Sequence, residues 1–324
     1  MKKLKVLAII LVSIVLIALS GGLFVNFALP NVGTAPTVKV DITPERVLRG
    51  KYLANHVAAC MDCHSSRNWE QYAGPMVDGT LGGGGEKFEE NMGFPGKIYS
   101  SNITPHTLSS WTDGEILKAI TTGESKDGRA LFPVMAYPRF GKMDQEDIYS
   151  IIAYIRLLKP ISKNIPQTAL NFPVNLINKT LPTKANFQKI PSEADTVKYG
   201  GYLVNAAGCI DCHSKTDKGK IIEGTEFGGG MEFKFPTGTL TAPNITMHKT
   251  NGLGNWTKDA FIARFKFYVD SNYKAESVGT TVLNTTMPWT MYAGMKETDL
   301  AAIYGYLKSL KPSPNKVTVR TFNK

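Results

Sequence analysis

The sequence predicts a mainly α-helical protein, with an N-terminal membrane-spanning helix ahead of two tandem copies of one small helical domain. Three observations carry that expectation. Residues 6–29 contain no charge and are mostly aliphatic. The second half of the chain repeats, in the same order, a series of short motifs from the first. All four cysteines fall into two copies of one pentapeptide pattern. Composition agrees with folded domains. Hydrophobic residues make up 43% and charged residues 20% of the 324, which excludes global disorder. Four cysteines are too few for a disulfide scaffold of this length. The formal net charge is +10, and Lys2, Lys3 and Lys5 supply part of it. The mild excess that remains gives no basis for nucleic-acid binding. It can meet an acidic partner or the carboxylates of an anionic cofactor.

The N-terminal run comes first. A bilayer core needs about 20 apolar residues in a helix, whereas the apolar region of a signal peptide is about 7–15 residues. This run is longer than that. Ser20-Gly21-Gly22 is a weak cleavage candidate, and Leu23, Phe24, Val25 and Phe27 continue the run past it. No cysteine follows closely, so there is no lipoprotein attachment site. The expectation is an uncleaved anchor over 1–30, with a cleaved signal as the alternative. Lys2, Lys3 and Lys5 stay cytoplasmic by the positive-inside rule, and everything after about Pro30 is exported. A short tether, 31–40, leads to the first domain.

The internal repeat defines domains over 41–160 and 192–324. Tyr52-Leu53-Ala54-Asn55 before Cys60-Met61-Asp62-Cys63-His64-Ser65 answers Tyr202-Leu203-Val204-Asn205 before Cys209-Ile210-Asp211-Cys212-His213-Ser214. Gly-rich stretches follow both. Asn102-Ile103-Thr104 answers Asn244-Ile245-Thr246, and Trp111-Thr112 answers Trp256-Thr257. Between the domains, 161–191 is rich in Pro, Asn and Lys without helical periodicity. It reads as an extended linker able to pack across domain surfaces.

Helix signals follow. Thr43-Pro44 is an N-cap with proline at the first helical position, and the helix it opens is expected to run into Cys60. Thr112-Asp113-Gly114-Glu115 is a capping box for a helix through about Thr121. Asp144 caps a helix with the stripe Ile148, Ile151, Ile152, Ile155 and Leu158; its counterpart carries Leu300, Ile303, Tyr304, Leu307 and Leu310. Pro160 and Pro312 are expected to stop these two helices. Each domain then has a thin core that a large apolar cofactor would help fill.

The pentapeptides Cys60-Met61-Asp62-Cys63-His64 and Cys209-Ile210-Asp211-Cys212-His213 have the C-x-x-C-H spacing of c-type haem attachment. Two thiols about one helical turn apart form thioethers to the haem vinyl groups, and the adjoining histidine sits under the iron. Two covalently bound haem c groups are therefore expected, on Cys60, Cys63, His64 and on Cys209, Cys212, His213. A pooled four-thiolate zinc site would have to bridge the two repeats and leaves both histidines without a role. A thioredoxin-like pair would need a βαβ pattern that is absent, and disulfides within C-x-x-C would be strained.

His56, His106 and His248 lack matched places in the two repeats and read as solvated or hydrogen-bonded loop residues. Methionine raises the iron potential and suits electron transfer. Two methionine pairs recur at equivalent places, Met135 with Met287 and Met143 with Met295. Met143 precedes the Asp144 cap with Ile148 beyond it, a hydrophobic staple that packing explains. Met135 and Met287, each beside a proline and aromatic residues, are the expected sixth ligands.

On these pentapeptides, the Asn244-Ile245-Thr246 to Gly252-Leu253-Gly254-Asn255-Trp256-Thr257 stretch, Met287-Pro288 and the closing Tyr306-Leu307-Lys308 helix, the sequence resembles bacterial membrane-anchored dihaem cytochromes c. These are related to the cytochrome c subunits of periplasmic alcohol and aldehyde dehydrogenases. The first domain departs from the pattern: it lacks Gly-x-Gly before Trp111, and Ala136 replaces the proline after Met135. Those subunits carry three haems where this chain has two attachment motifs. The resemblance implies two cytochrome c-like haem domains, with Asn102, Ile103, Thr104, Trp111 and Asn244, Ile245, Thr246, Trp256 in loops that line the haem.

The expected function is single-electron transfer on the periplasmic face of the cytoplasmic membrane, between a dehydrogenase or quinol donor and a terminal acceptor. No catalytic residue is expected. The redox partners would be a dehydrogenase, an oxidase or a small cytochrome. The alternative is a dihaem redox enzyme, peroxidase-like, with one open haem position. A thiosulfate-oxidising haem with a cysteine ligand would need a fifth cysteine, which the chain lacks.

Overall fold

The structure, a computed structural model, describes residues 2–235, 237–278 and 283–323. Helix α1 (Lys2–Ala28) takes in nearly the whole uncharged run and buries none of its residues. Among the described residues it is the one helix long and apolar enough to cross a membrane, a test that a signal sequence also passes. The tether beyond it lies against the first half of the chain. The Val32 N–H donates to Glu124 Oε2 (2.9 Å) and the Val40 N–H to Asp113 Oδ2 (2.8 Å).

Helix α2 (Pro44–Tyr52) opens as its sequence requires, with Thr43 Oγ1 accepting the Arg46 N–H. It does not run into Cys60. A π-helical turn occupies Leu53–Val57, the chain breaks at Ala59 with φ +48°, and the short α3 (Cys60–Cys63) begins there. Next come α4 (Pro105–Leu108) and α5 (Asp113–Thr122), the latter opened by the Thr112/Glu115 capping box. The short α6 (Tyr137–Phe140) leads to α7 (Gln145–Ile155), where Asp144 Oδ1 accepts the Glu146 N–H. The stripe Ile148, Ile151, Ile152, Ile155 and Leu158 is buried. Helix α7 stops before Pro160 is reached: the Leu157 and Leu158 N–H groups turn back to the Tyr154 and Ile155 carbonyls, tightening the chain out of the α-helix.

The linker is ordered against the first half. It holds α8 (Val174–Ile177), and its later part bonds to that half through Thr183 N–H to Thr122 O, Asn186 N–H to Gly141 O and Ile190 N–H to Asp144 Oδ2. The second half holds α9 (Thr196–Ala207), α10 (Cys209–Cys212), α11 (Lys258–Lys266), α12 (Trp289–Tyr292) and α13 (Glu297–Ser309). Helix α9 ends at Gly208, φ +70°. Helix α2 packs on α7 and α9 on α13. Both crossings need a missing side chain: a Cβ on Gly50 would lie 1.8 Å from Ser150 O, and one on Gly200 2.0 Å from Ala302 O.

The mainly helical expectation holds, with small antiparallel sheets added. β1 (Lys87–Phe88), β2 (Gly96–Tyr99) and linker strand β3 (Ala169–Leu170) form one sheet, and β4 (Thr216–Asp217) pairs with β5 (Lys220–Ile221). A third sheet holds β6 (Glu232–Phe235), β7 (Gly238–Thr241) and β8 (Arg320–Phe322). Strands this short leave no alternating pattern to read in a sequence.

The halves meet in reciprocal contacts. The Tyr202 hydroxyl donates to Asp147 Oδ2 (2.6 Å) and accepts the Asp144 N–H (3.1 Å). The Tyr52 hydroxyl donates to Asp299 Oδ2 (2.5 Å) and accepts the Lys296 N–H (3.0 Å). Burial raises both tyrosine pKa values, so both remain donors at neutral pH. The two carboxylates differ in their other partner. Arg49 grips Asp147 with two bonds of 2.8 Å, while Asp299 takes the Tyr199 hydroxyl at 3.2 Å.

Candidate functional site

Each C-x-x-C-H pentapeptide folds as a single helical turn, closed by the His64 N–H to Cys60 O (2.9 Å) and the His213 N–H to Cys209 O (3.0 Å). One turn thereby carries two thiols and a histidine. His64 Nδ1 lies 2.7 Å from Ser101 O, and His213 Nδ1 lies 2.7 Å from Pro243 O. A carbonyl can only accept, so Nδ1 bears the proton and Nε2 keeps its lone pair, the state of a metal-ligating imidazole. Burial lowers both imidazole pKa values, against a smaller upward push from those bonds. Both rings are thus held neutral.

The Gly-rich stretches close over the histidine backbone. Gly84 N–H donates to His64 O and Gly229 N–H to His213 O, each at 2.9 Å. Both glycines have positive φ, and a Cβ on either would fall 2.6 Å from the Asn102 or Asn244 nitrogen. The Asn-Ile-Thr stretches are clamps. Asn102 Oδ1 accepts the Thr104 N–H (2.9 Å) and hydroxyl (2.7 Å), and Asn244 Oδ1 does the same for Thr246 at the same distances. Their amides reach the chain beyond the closing helices, Asn102 Nδ2 to Ile161 O (2.7 Å) and Asn244 Nδ2 to Ser313 O (2.8 Å). Each clamp fixes the residue just before it, whose carbonyl holds the histidine. Trp111 packs against the core, whereas Trp256 is 38% exposed.

Sequence reasoning missed two parts of this frame. Ser65 and Ser214 are fully buried; Ser65 Oγ accepts the Gly82 N–H (3.2 Å) and Ser214 Oγ the Phe227 N–H (3.1 Å). The signal was a serine directly after both histidines. The central aspartates are each paired with an arginine. Asp62 bonds Arg67 at 2.8 Å, and Arg67 stacks over Trp69. Asp211 pairs with Arg139, which comes from the other half.

The cysteines are free. Burial pushes the Cys60 and Cys63 thiols up to about 12 and those of Cys209 and Cys212 up to about 11. A thiol–disulfide redox pair needs a lowered value. Among the described residues no three His, Cys, Asp or Glu side chains come together as a metal cage.

The two methionine pairs separate by burial. Met143 and Met295 are wholly enclosed, at 0% and 1% exposure, in the same core as Ile148 and Leu300. Met135 and Met287 are half-buried at the edge of the core. Their carbonyls accept equivalent bonds, from Tyr137 N–H (2.6 Å) and Trp289 N–H (2.8 Å). Of the three unmatched histidines, His248 is a hydrogen-bonded loop residue, its Nδ1 accepting the Asn251 N–H, while His106 lies in the short α4. His56 is not in a loop. It sits in the π turn with Nδ1 2.9 Å from Met291 O, across the contact between halves.

No family profile matches the chain. Individual proteins do. It is 28% identical over 298 residues to the cytochrome c subunit of alcohol dehydrogenase (quinone) from Komagataeibacter europaeus, covering 87% of this chain and 59% of that protein. The chain is a homologue of dehydrogenase cytochrome c subunits. The fructose dehydrogenase cytochrome subunit of Gluconobacter japonicus is 27% identical over 299 residues, 86% of this chain and 56% of its own length. A diheme cytochrome c-type protein of Cereibacter sphaeroides is 25% identical over 247 residues, 73% of this chain and 78% of its own. This chain thus spans less than two thirds of the length of the dehydrogenase subunits it matches.

Proposed function

We propose that the chain is a dihaem c-type cytochrome passing single electrons on the periplasmic side of the cytoplasmic membrane, as subunit or partner of a dehydrogenase. One observation carries the reading: the frame that leaves His64 Nε2 free is repeated bond for bond around His213. The residues present fit haem c, since a single turn offers two protonated thiols and an imidazole of fixed tautomer. In this reading 41–160 and 192–324 are tandem cytochrome c-like domains. Cys60 and Cys63 would hold one haem and Cys209 and Cys212 the other, with His64 and Met135 ligating one iron and His213 and Met287 the other. Haem c supplies one-electron chemistry, and the protein sets its potential and spacing. The relative named diheme supports a count of two, and the relatives named as dehydrogenase subunits support a dehydrogenase as redox partner. Helix α1 is the membrane anchor.

The test is the mass and spectrum of the full chain. Mass after acid–acetone extraction should exceed the bare polypeptide by two haems. Both irons should be six-coordinate and low-spin, with the ferric methionine–sulfur charge-transfer band and no carbon monoxide binding. Met135→Ala or Met287→Ala should each let carbon monoxide bind one haem and lower its potential. A bare polypeptide mass would overturn the haem reading. Carbon monoxide binding by the wild type would overturn the pure carrier in favour of a peroxidase-like enzyme.

A further inference from the structure

The outer end of α1 is bonded to the linker, and the tether just beyond it to the first half. The helix has 27 residues, about 40 Å at 1.5 Å each, against a hydrocarbon core of about 30 Å. With Lys2, Lys3 and Lys5 at one headgroup layer, about 20 residues from Val6 cross the core, and Asn26 reaches the opposite boundary. There Lys179 Nζ donates to Asn26 O (2.6 Å) and Asn26 Oδ1 (2.9 Å), and α8 with the turn Asn178–Thr180 packs beside α1. Beyond the helix, Val32 and Val40 of the tether are tied to Glu124 and Asp113.

The linker stretch that touches α1 is also mounted firmly on the first half. The Asn171 N–H donates to Pro95 O and its Nδ2 to Glu90 Oε1; Asn178 Nδ2 donates to Ala130 O. Yet this stretch holds large apolar side chains out to solvent: Phe172 at 78% exposure, Ile177 at 51% and Leu181 at 38%. Three such side chains within ten residues, beside a lysine bonded to the end of the anchor, match the chemistry of a membrane interface. Aromatic and aliphatic groups enter the acyl boundary there, and a lysine stem reaches back to phosphate.

We propose that residues 171–181 form a second membrane contact, with Phe172, Ile177 and Leu181 seated in the outer headgroup–acyl boundary and Lys179 at the phosphate level. This rests on the anchor reading of α1. The contact holds the first domain down on the bilayer and fixes its angle to α1, where a lone helix with a free tether would let it swing.

The test uses the full chain in nanodiscs of phosphatidylcholine and phosphatidylglycerol. Benzoylphenylalanine replaces Phe172 or Ile177, with Val15 in the anchor and the exposed Ile222 of the second half as references. After irradiation, lipid adducts read by mass spectrometry should appear at 15, 172 and 177 and be absent at 222. Adducts at 15 without any at 172 or 177 would overturn the contact and leave the anchor standing. Equal adducts at 222 would also overturn it, since the contact would not be particular to this stretch. Loss of the α1 segment from the mature chain would overturn both.

Discussion

The helices leading into the two pentapeptides make the same journey with different lengths of chain. Cys60 stands one residue further from Tyr52 than Cys209 stands from Tyr202. In the second half α9 runs as regular α-helix to Gly208, whose left-handed conformation starts the C-x-x-C-H turn. In the first half the extra residue is absorbed by the π turn Leu53–Val57, and Ala59 takes the left-handed place of Gly208. The tyrosine and cysteine therefore both keep their places. The shift also changes which side chain crosses to the other half. Asn205 Nδ2 donates to Arg139 O (3.2 Å), and His56 Nδ1 makes the matching bond to Met291 O (2.9 Å). An insertion that would rotate a regular helix by about 100° is confined to one turn. What the halves hold constant is the placement of the histidine, not the backbone that delivers it.

The largest expected effect tests how far the halves are alike. Gly50→Ala and Gly200→Ala should each cost about 3 kcal/mol or more, because the new Cβ would overlap a helix carbonyl with no flexible atom to yield. Thermal melting of the haem-loaded protein checks this, and one tolerated substitution would mean that the two helix crossings are not equivalent. The tyrosines test where the halves differ. Tyr52→Phe leaves the buried Asp299 with Tyr199 as its remaining side-chain partner, whereas Tyr202→Phe leaves Asp147 in the grip of Arg49. Both should cost about 1–3 kcal/mol, Tyr52→Phe more. Equal losses would show that the arginine does not compensate.

Much of this was legible in the sequence, for physical reasons. Caps and apolar stripes are local, so Thr43, Thr112, Asp144 and the Ile148–Leu158 series marked helices that formed. The pentapeptides are local too, so spacing alone marks both Cys-Cys-His sets, and each folds as one helical turn. The clamps were visible only as repeated letters. That Asn102 accepts from Thr104 and fixes the carbonyl facing His64 depends on a loop returning from 37 residues away. The π turn was hidden because one extra residue leaves no compositional trace. Arg139 could not be paired with Asp211 in advance, since that bond joins the two halves.

His56 offers a pH test of the same difference. Burial lowers its pKa, and the positive charges of Lys266 and Lys51 push the same way against the bond to Met291 O. With a folded value below the unfolded value of about 6.5, the unfolded chain takes up more protons as the pH falls through that region. This contribution to stability is complete above about pH 6.5 and declines below it. Asn205 has no such titration, so His56→Asn should flatten that part of the stability profile between about pH 5 and 7. Melting temperatures of both proteins across that range check it. An unchanged profile in the variant would assign the dependence to another group.

The smallest effect concerns the residue that starts the turn. Ala59 holds φ +48° where Gly208 holds φ +70°. A left-handed alanine costs roughly 1–2 kcal/mol, and glycine gives back about 0.5–1 kcal/mol through the greater freedom of its unfolded chain. Ala59→Gly should therefore stabilise the first half by about 0.5 kcal/mol, provided that the lost methyl, which packs at the edge of the core, contributes little. Denaturant midpoints at constant slope measure a change of this size when the two proteins are run side by side. A gain would identify the left-handed turn as the requirement shared by both halves and alanine as a strained substitute in one. A loss would mean that the half-buried Ala59 methyl, next to the π turn in the chain, is part of how the first half accommodates its extra residue.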